Sequence, residues 1–116
     1  MAQNDDYLNT ARRLLEKTAE QKVAWKETFE QTTFASVLNG KYAFEISKTR
    51  NGYRLVMKDE AETDMFTLYA RYPTEDTSAE NDEAHSVLEP LYELARRKAL
   101  NIDQKLSDVN DMLEHL

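Results

Sequence analysis

Apolar side chains change their spacing along the chain, and each change indicates a different kind of element. Near the N-terminus, Leu8, Ala11, Leu15 and Thr18 recur three or four residues apart, which is typical of an amphipathic helix. The pattern predicts a helix over about 5–22, with Asn4 or Asp5 as its N-cap. The next segment, "VAWKETFEQT", fits neither a helical nor a strand period consistently. We interpret it as a connector or an irregular edge.

From Thr33 onward the apolar period becomes two, which indicates β-strands. Two Asn-Gly pairs, Asn39-Gly40 and Asn51-Gly52, separate the first three alternating runs. Because these pairs tolerate positive φ at both central turn positions, each predicts a tight hairpin. A longer polar connection, "DEAETD", precedes the last run. The predicted strands cover about 33–38, 41–47, 53–58 and 65–71.

The alternation also separates the two faces of the predicted sheet. One face would be covered by helices and the other would contact water. The residues predicted to face the helices are Tyr42, Phe44, Ile46, Tyr53, Leu55, Met57, Phe66, Leu68 and Ala70. We expect the large aromatic residues Trp25, Phe29 and Phe34 to close one end of the same core.

The C-terminal third of the chain predicts an acidic loop at 73–83 and then one long helix at about 84–114. Such a helix would measure roughly 45–50 Å, whereas a strand of six or seven residues spans only about 20–25 Å. Two explanations of this excess length stay open. The helix bends near "LNID", where Asn101 and Gln104 have capping-box spacing, or its end packs against a second copy of the protein.

These elements together predict a single α+β domain over residues 1–116. It consists of a four-stranded antiparallel meander with one face covered by an N-terminal helix and a long C-terminal helix. The length suits one hydrophobic core. Hydrophobic residues make up 41% of the chain, enough to fill such a core.

The composition of the chain excludes several kinds of site and makes others unfavourable. The chain has no cysteine, so disulfides and thiolate zinc sites are excluded. No apolar stretch has the length of a signal peptide or a membrane span, and we expect a soluble cytoplasmic protein. The formal net charge of -7 is unfavourable for wrapping nucleic acid.

Catalytic and metal-binding motifs are missing from the sequence. His85 and His115 have no histidine or cysteine nearby at ligand spacing. Gly40 and Gly52 both fall in hairpins, which leaves no phosphate-binding loop or nucleophile elbow. We therefore expect no enzyme activity, no metal and no cofactor.

The C-terminal stripe is the first candidate for a functional surface. Its apolar residues continue in phase beyond the length that the sheet can cover, which predicts self-association, most simply as a homodimer, or an unidentified protein partner. The predicted self-association residues are Ile102, Leu106, Val109, Met112, Leu113 and Leu116. The basic cluster Arg96, Arg97 and Lys98 is interpreted as the polar flank of this helix, paired with Glu93.

The water-facing side of the sheet is the alternative surface. It combines four bases with one acid, Glu45, in an otherwise acidic chain, and a basic sheet with an aromatic residue is typical of single-strand binders. The predicted nucleic-acid contacts are Lys41, Arg54, Lys58, Tyr69 and Arg71. A third class, an acidic inhibitor or decoy, fits the net charge without selecting a surface.

The order of elements, with a helix, a tryptophan after it, a four-strand meander and the segment "LYELARRKALNIDQKL", resembles a set of small bacterial proteins of unassigned function. The resemblance covers nearly the full chain. It implies a common fold and no activity.

Overall fold

In the computed structural model of the protein, the backbone is described for residues 2–116 and the side chains from Asp5 onward. The helices are α1 (Ala2–Ala19), α2 (Ala79–Ala99) and α3 (Ile102–Glu114). The strands are β1 (Lys26–Glu27), β2 (Thr33–Leu38), β3 (Tyr42–Lys48), β4 (Gly52–Lys58) and β5 (Asp64–Arg71). The strands form one antiparallel sheet in sequential order. The α+β class and the meander are confirmed.

The sheet has five strands, so the prediction of four is wrong by one. The additional strand is β1, in the segment interpreted as a connector or irregular edge, where Lys26 pairs with Ala35 and Glu27 with Phe34. An alternation needs at least four residues to be recognised. A strand of two residues therefore gives no periodic signal.

Trp25 fixes this edge of the sheet to the N-terminal helix. Its indole is buried, and its Nε1–H donates a hydrogen bond of 3.1 Å to the hydroxyl of Thr18 in α1. Phe34 is buried beside it in the same core. Phe29 is fully exposed in the β1–β2 loop, so its predicted place in the core is wrong.

The division of the sheet into two faces is confirmed. The buried residues of the covered face include Phe44, Ile46, Tyr53, Leu55, Phe66 and Ala70. Met57 and Leu68 are partly buried against them, while Tyr42 stays exposed beside the first hairpin.

Both α1 and α2 lie across the covered face. In α1, the ring of Tyr7 stacks on Phe66 of β5 at a centroid distance of 4.4 Å. The α2 helix crosses the strands diagonally, as three contacts along it show. Asn81 binds Arg71 of β5, the His85 ring lies 5.5 Å from Tyr53 of β4, and the Tyr92 ring lies 5.6 Å from Phe34 of β2.

The end of α1 at Ala19 differs from the predicted end at residue 22. Gln21 has a positive φ of 64°. The amide of Lys22 donates to the Lys17 carbonyl at 2.9 Å, and the amide of Gln21 donates to the Thr18 carbonyl at 3.0 Å. This pair of bonds is a Schellman motif, which terminates a helix. The helix begins at Ala2, so Asp5 lies in its first turn and is not its N-cap; the side chain of Asn4 lies outside the described residues.

The α2 helix begins at Ala79, which makes the acidic loop shorter than the predicted 73–83. Ser78 is the N-cap, and its hydroxyl accepts the amide N–H of Asn81 at 3.0 Å. Glu80 and Asp82 lie in the first turn, where carboxylates interact favourably with the helix dipole. Acidic residues that suggested a loop are therefore part of a helix start.

The two Asn-Gly pairs have different roles. Asn39 and Gly40 have φ values of 54° and 66°, and the Lys41 amide donates to the Leu38 carbonyl at 3.0 Å, as predicted for a tight hairpin. Asn51 and Gly52 do not have positive φ, so that part of the prediction is wrong. Gly52 already belongs to β4, and a Cβ atom placed on it would lie 1.9 Å from the Ala70 carbonyl oxygen.

We predict that Gly52→Ala destabilises the protein more than Gly40→Ala. At Gly52 the backbone of β5 must move, and such overpacking typically costs about 1–3 kcal/mol or more. At Gly40 nothing lies within 4 Å of the added atom, and the cost is the left-handed conformation alone, about 1 kcal/mol. Urea unfolding of the two variants measures the difference. Equal losses would contradict the close approach at Gly52.

Candidate functional site

The α3 helix lies outside the body of the protein. None of its residues, all of which belong to the described part of the chain, is buried. The radius of gyration is 15.8 Å, compared with about 13 Å for a compact domain of this length. The helix therefore extends from the domain instead of covering the sheet.

A break at Asn101 separates α3 from α2, so the continuous helix at 84–114 is wrong and the bend near "LNID" is correct. Asn101 has a φ of 55° and makes no side-chain cap hydrogen bond, so the predicted capping box with Gln104 does not form. A left-handed asparagine just after a helix terminates it. The carboxylate of Asp103 then binds the guanidinium of Arg97 across the break.

That ion pair changes the interpretation of the basic cluster. Arg96, Arg97 and Lys98 form the last turn of α2, where positive charge suits the negative end of the helix. Arg97 is paired with Asp103, not with Glu93 as predicted. The cluster is a polar flank, and one of its members forms an ion pair with the first turn of α3.

The predicted self-association residues form one apolar stripe on α3. Five of them follow the alternating four-and-three spacing of a heptad seam. We call Ile102, Leu106, Val109, Leu113 and Leu116 the α3 stripe. Four of these side chains are exposed, with exposed fractions from 48% at Val109 to 98% at Leu116. The fifth, Ile102, is half-buried. Met112, beside the stripe, is 69% exposed.

The charges of this segment are unevenly distributed. Residues 102–116 contain one base, Lys105, and four acids, a net charge of −3 with histidine neutral. Asp103 is paired with Arg97. The half from residue 108 to 116 holds Asp108, Asp111 and Glu114 and no lysine or arginine. It is therefore both apolar and acidic.

A shallow groove opens between α1 and the strands β2 and β3. It has a volume of about 270 Å³. Its lining residues, which define the α1 groove, are Thr10, Arg13, Leu14, Lys17, Lys22, Val23, Leu38 and Phe44. The floor is apolar and the rim is cationic. Glu20 contacts Lys17 at 3.5 Å and Lys22 at 3.1 Å, and within the described residues Arg13 forms no ion pair.

The open face of the sheet does not gather its five predicted nucleic-acid residues into one patch. Arg54 and Tyr69 are direct partners on β4 and β5, and Arg71 lies at the same end of the sheet. Lys58 is four residues from Arg54, about 13 Å along the strand, and contacts Glu45 at 3.4 Å. Lys41 lies in the β2–β3 turn, not on the strand face, where its Nζ is 5.9 Å from the centre of the Tyr42 ring.

An aromatic cluster around His85 was not foreseen from the sequence. The His85 ring lies 5.5 Å from Tyr53 and 5.7 Å from Tyr72, and Tyr53 lies 5.4 Å from Tyr92. The buried Nε2 of His85 has no hydrogen-bond partner among the described residues, and it lies 3.9 Å from the Glu89 carboxylate. The helical spacing of His85 and Glu89 was the one available signal.

Burial has a clear effect on the tyrosines of this cluster. It raises the pKa of Tyr53 from 10.0 to about 12, with smaller contributions from Tyr72, Glu89 and Glu93. Burial also raises the pKa of Tyr92. These phenols stay neutral at physiological pH, and the cluster serves as a polar edge of the core.

A second cavity of about 320 Å³ lies between α1, β5 and the start of α2, with Asp5, Glu80 and Glu83 in its lining. Across the described chain, histidines and carboxylates form no group of three or more that could hold a metal ion. No helix in residues 2–116 is long and apolar enough to cross a bilayer.

Comparison of the chain with protein-family models, with curated proteins and with solved structures finds no match. The resemblance to small bacterial proteins of unassigned function therefore stays a prediction.

We predict that stability falls as the pH rises from about 10 to about 12, and that Tyr53→Phe reduces this fall. Below pH 10 the phenol is protonated in both the folded and the unfolded chain. Between 10.0 and about 12, the unfolded tyrosine loses its proton while the folded one keeps it, which favours unfolding. Urea midpoints at pH 8, 9.5 and 11 measure the effect. An identical alkaline loss in the variant would assign it to other groups.

Proposed function

We propose that the protein is a non-catalytic interaction or structural module that self-associates through α3, most simply as a homodimer. The observation that supports this is the exposure of the α3 stripe from Leu106 to Leu116. Soluble domains seldom leave a contiguous apolar surface uncovered unless it meets a partner. The stripe has the regular spacing by which helices pack against one another.

The energetics of an isolated helix support the same proposal. Helices shorter than about 12–15 residues are marginal in water without packing, and α3 has 13 residues. Burying one aliphatic side chain contributes about 1.5–3 kcal/mol. Packing of the stripe against a partner would therefore both cover it and stabilise the helix.

The position of the acids on α3 is compatible with such packing. Asp111 lies opposite the stripe, and Asp108 and Glu114 lie well to either side of it, as the 3.6-residue period requires. The α3 stripe can therefore contact a partner without the burial of a carboxylate. The stripe can pack while the acids stay hydrated.

We predict that Leu106→Glu with Val109→Glu yields a monomer at a protein concentration where the wild type is a dimer. Each substitution places a carboxylate in the seam, where an unpaired charge is costly to bury. Light-scattering chromatography gives the mass. The control is Gln104→Glu with Asn110→Glu, which adds the same charge outside the stripe and should leave the mass unchanged. A monomeric wild type at high micromolar concentration would contradict the proposal.

Binding of single-stranded nucleic acid is the second candidate function. It is favoured by the direct pairing of Arg54 with Tyr69, because an exposed ring beside a guanidinium suits base stacking and phosphate contact. Tyr69 is 64% exposed, and Arg71 follows at the same end. The Lys58–Glu45 pair and the net charge of -7 place this function second.

We predict that any oligonucleotide affinity depends on this end of the sheet. Arg54→Glu with Arg71→Glu should abolish binding of a fluorescent single strand at low ionic strength, whereas Lys41→Glu should have a smaller effect. The affinity of the wild type should fall steeply with salt, because phosphate contacts release counterions. Absence of wild-type binding in about 20 mM salt would rule out this candidate.

A further inference from the structure

Two surfaces of this chain have complementary chemistry. The α1 groove presents an apolar floor of Leu14, Val23, Leu38 and Phe44 under a cationic rim. Such a groove suits an occupant that is apolar on one side and anionic on its flanks. Residues 108–116, from the second half of α3 to the C-terminal residue of the sequence, have that chemistry.

The two surfaces also match in length. The α1 residues of the groove, Thr10, Arg13, Leu14 and Lys17, occupy one face of two helical turns, about 10 Å long. The helical residues of the acidic segment, 108–114, also extend about 10 Å. An amphipathic helix lying in an apolar groove is a recurrent mode of recognition.

Within one chain the two surfaces do not meet. Every residue of α3 is unburied, and the element that α3 packs against is α2, which does not line the groove. The break at Asn101 and the Arg97–Asp103 pair direct α3 away from the domain. A second copy can supply the missing helix.

We propose that residues 108–116, which comprise the acidic half of α3 and the two residues after it, dock in the α1 groove of a second copy. This inference rests on the proposed self-association through α3 and specifies the surface that receives it. In a two-fold dimer the exchange is reciprocal, so two α3 helices are covered. Reciprocal docking doubles the buried surface area. This matters because stable interfaces bury about 800 Å² per partner, and one short helix supplies only a small part of that area.

The charges give this docking its specificity. Arg13, Lys17 and Lys22 on the rim would face Asp108 and Glu114 on the two flanks of the helix. Arg13 is the uncommitted base, since Glu20 already contacts both lysines. Exposed pairs of this kind contribute to orientation and association rate more than to affinity, so the apolar floor holds the helix and the rim orients it.

The first experiment reverses the rim. Arg13→Glu with Lys17→Glu replaces attraction by repulsion of Asp108 and Glu114, since like charges facing each other across an interface are costly. It should weaken dimerisation at least tenfold in light-scattering chromatography across a dilution series. The matched control is Lys48→Glu with Arg50→Glu, which makes the same charge change at exposed positions of the β3–β4 hairpin and should leave the dimer intact. Adding Asp108→Lys and Glu114→Lys to the rim variant should restore the dimer.

The outcomes separate this inference from the proposed function. If the rim variant dimerises like the wild type while Leu106→Glu with Val109→Glu is monomeric, α3 associates through another surface and the groove is not its acceptor. If the stripe variant also keeps the wild-type mass, both ideas fail. Loss of the dimer in the rim variant and its recovery by α3 charge reversal support the inference.

A cross-linking test is direct because the chain contains no cysteine. Lys17→Cys and Met112→Cys, made in separate chains and mixed under mild oxidation, should form a disulfide-linked heterodimer. Met112→Cys alone and Lys17→Cys alone should stay largely uncross-linked. Efficient linkage of Met112→Cys to itself would show that two α3 helices pair with each other, which would overturn docking in the groove.

Discussion

The packing of α2 across the sheet is the interaction on which the rest of the structure depends. Leu88, Leu91 and Ala95 have no exposed surface, and the helix that carries them contacts every strand of the sheet. This packing positions the His85 cluster and closes the core over Phe34. A sheet of five strands is only about 20 Å wide, while α2 alone rises about 30 Å. A stripe that continues beyond α2 has no more sheet to cover.

Because of the break at Asn101, the part of the helical pattern that exceeds the sheet forms a separate helix, α3. Without it, α2 and α3 would form one straight helix extending past the edge of the sheet. With a left-handed residue at the junction and an ion pair between Arg97 and Asp103, α3 has a direction of its own. It is the one helix of the described chain that contributes nothing buried to the core, and for that reason its apolar residues need a different explanation from those of α1 and α2.

Much of the fold was predictable because its patterns are long. The strands β2 to β5 have six or more residues each. The covered side of β3, β4 and β5 was assigned correctly except at Tyr42, which is exposed. The start of α2 was missed because Glu80 and Asp82 look like loop residues unless Ser78 is recognised as a cap. The edge strand β1 was missed because two residues cannot show a period. The positive φ predicted at Asn51-Gly52 was wrong because a close approach to Ala70, not a left-handed turn, requires that glycine.

The sequence by itself determined the class of fold, the covered face of the sheet and the existence of an apolar stripe near the C-terminus. Each of these features produces a regular spacing of apolar residues along the chain. Only the tertiary structure decided which parts of that stripe are buried. It showed Ala95 inside the core and Leu106 in solvent, although both occupy the same phase of one pattern. It also brought Arg13 and Lys17 of α1 beside Leu38 and Phe44 of the sheet, residues far apart in sequence. Local periodicity fixes how a helix is patterned, whereas the finite width of the sheet and a single left-handed residue fix which part of that pattern stays exposed.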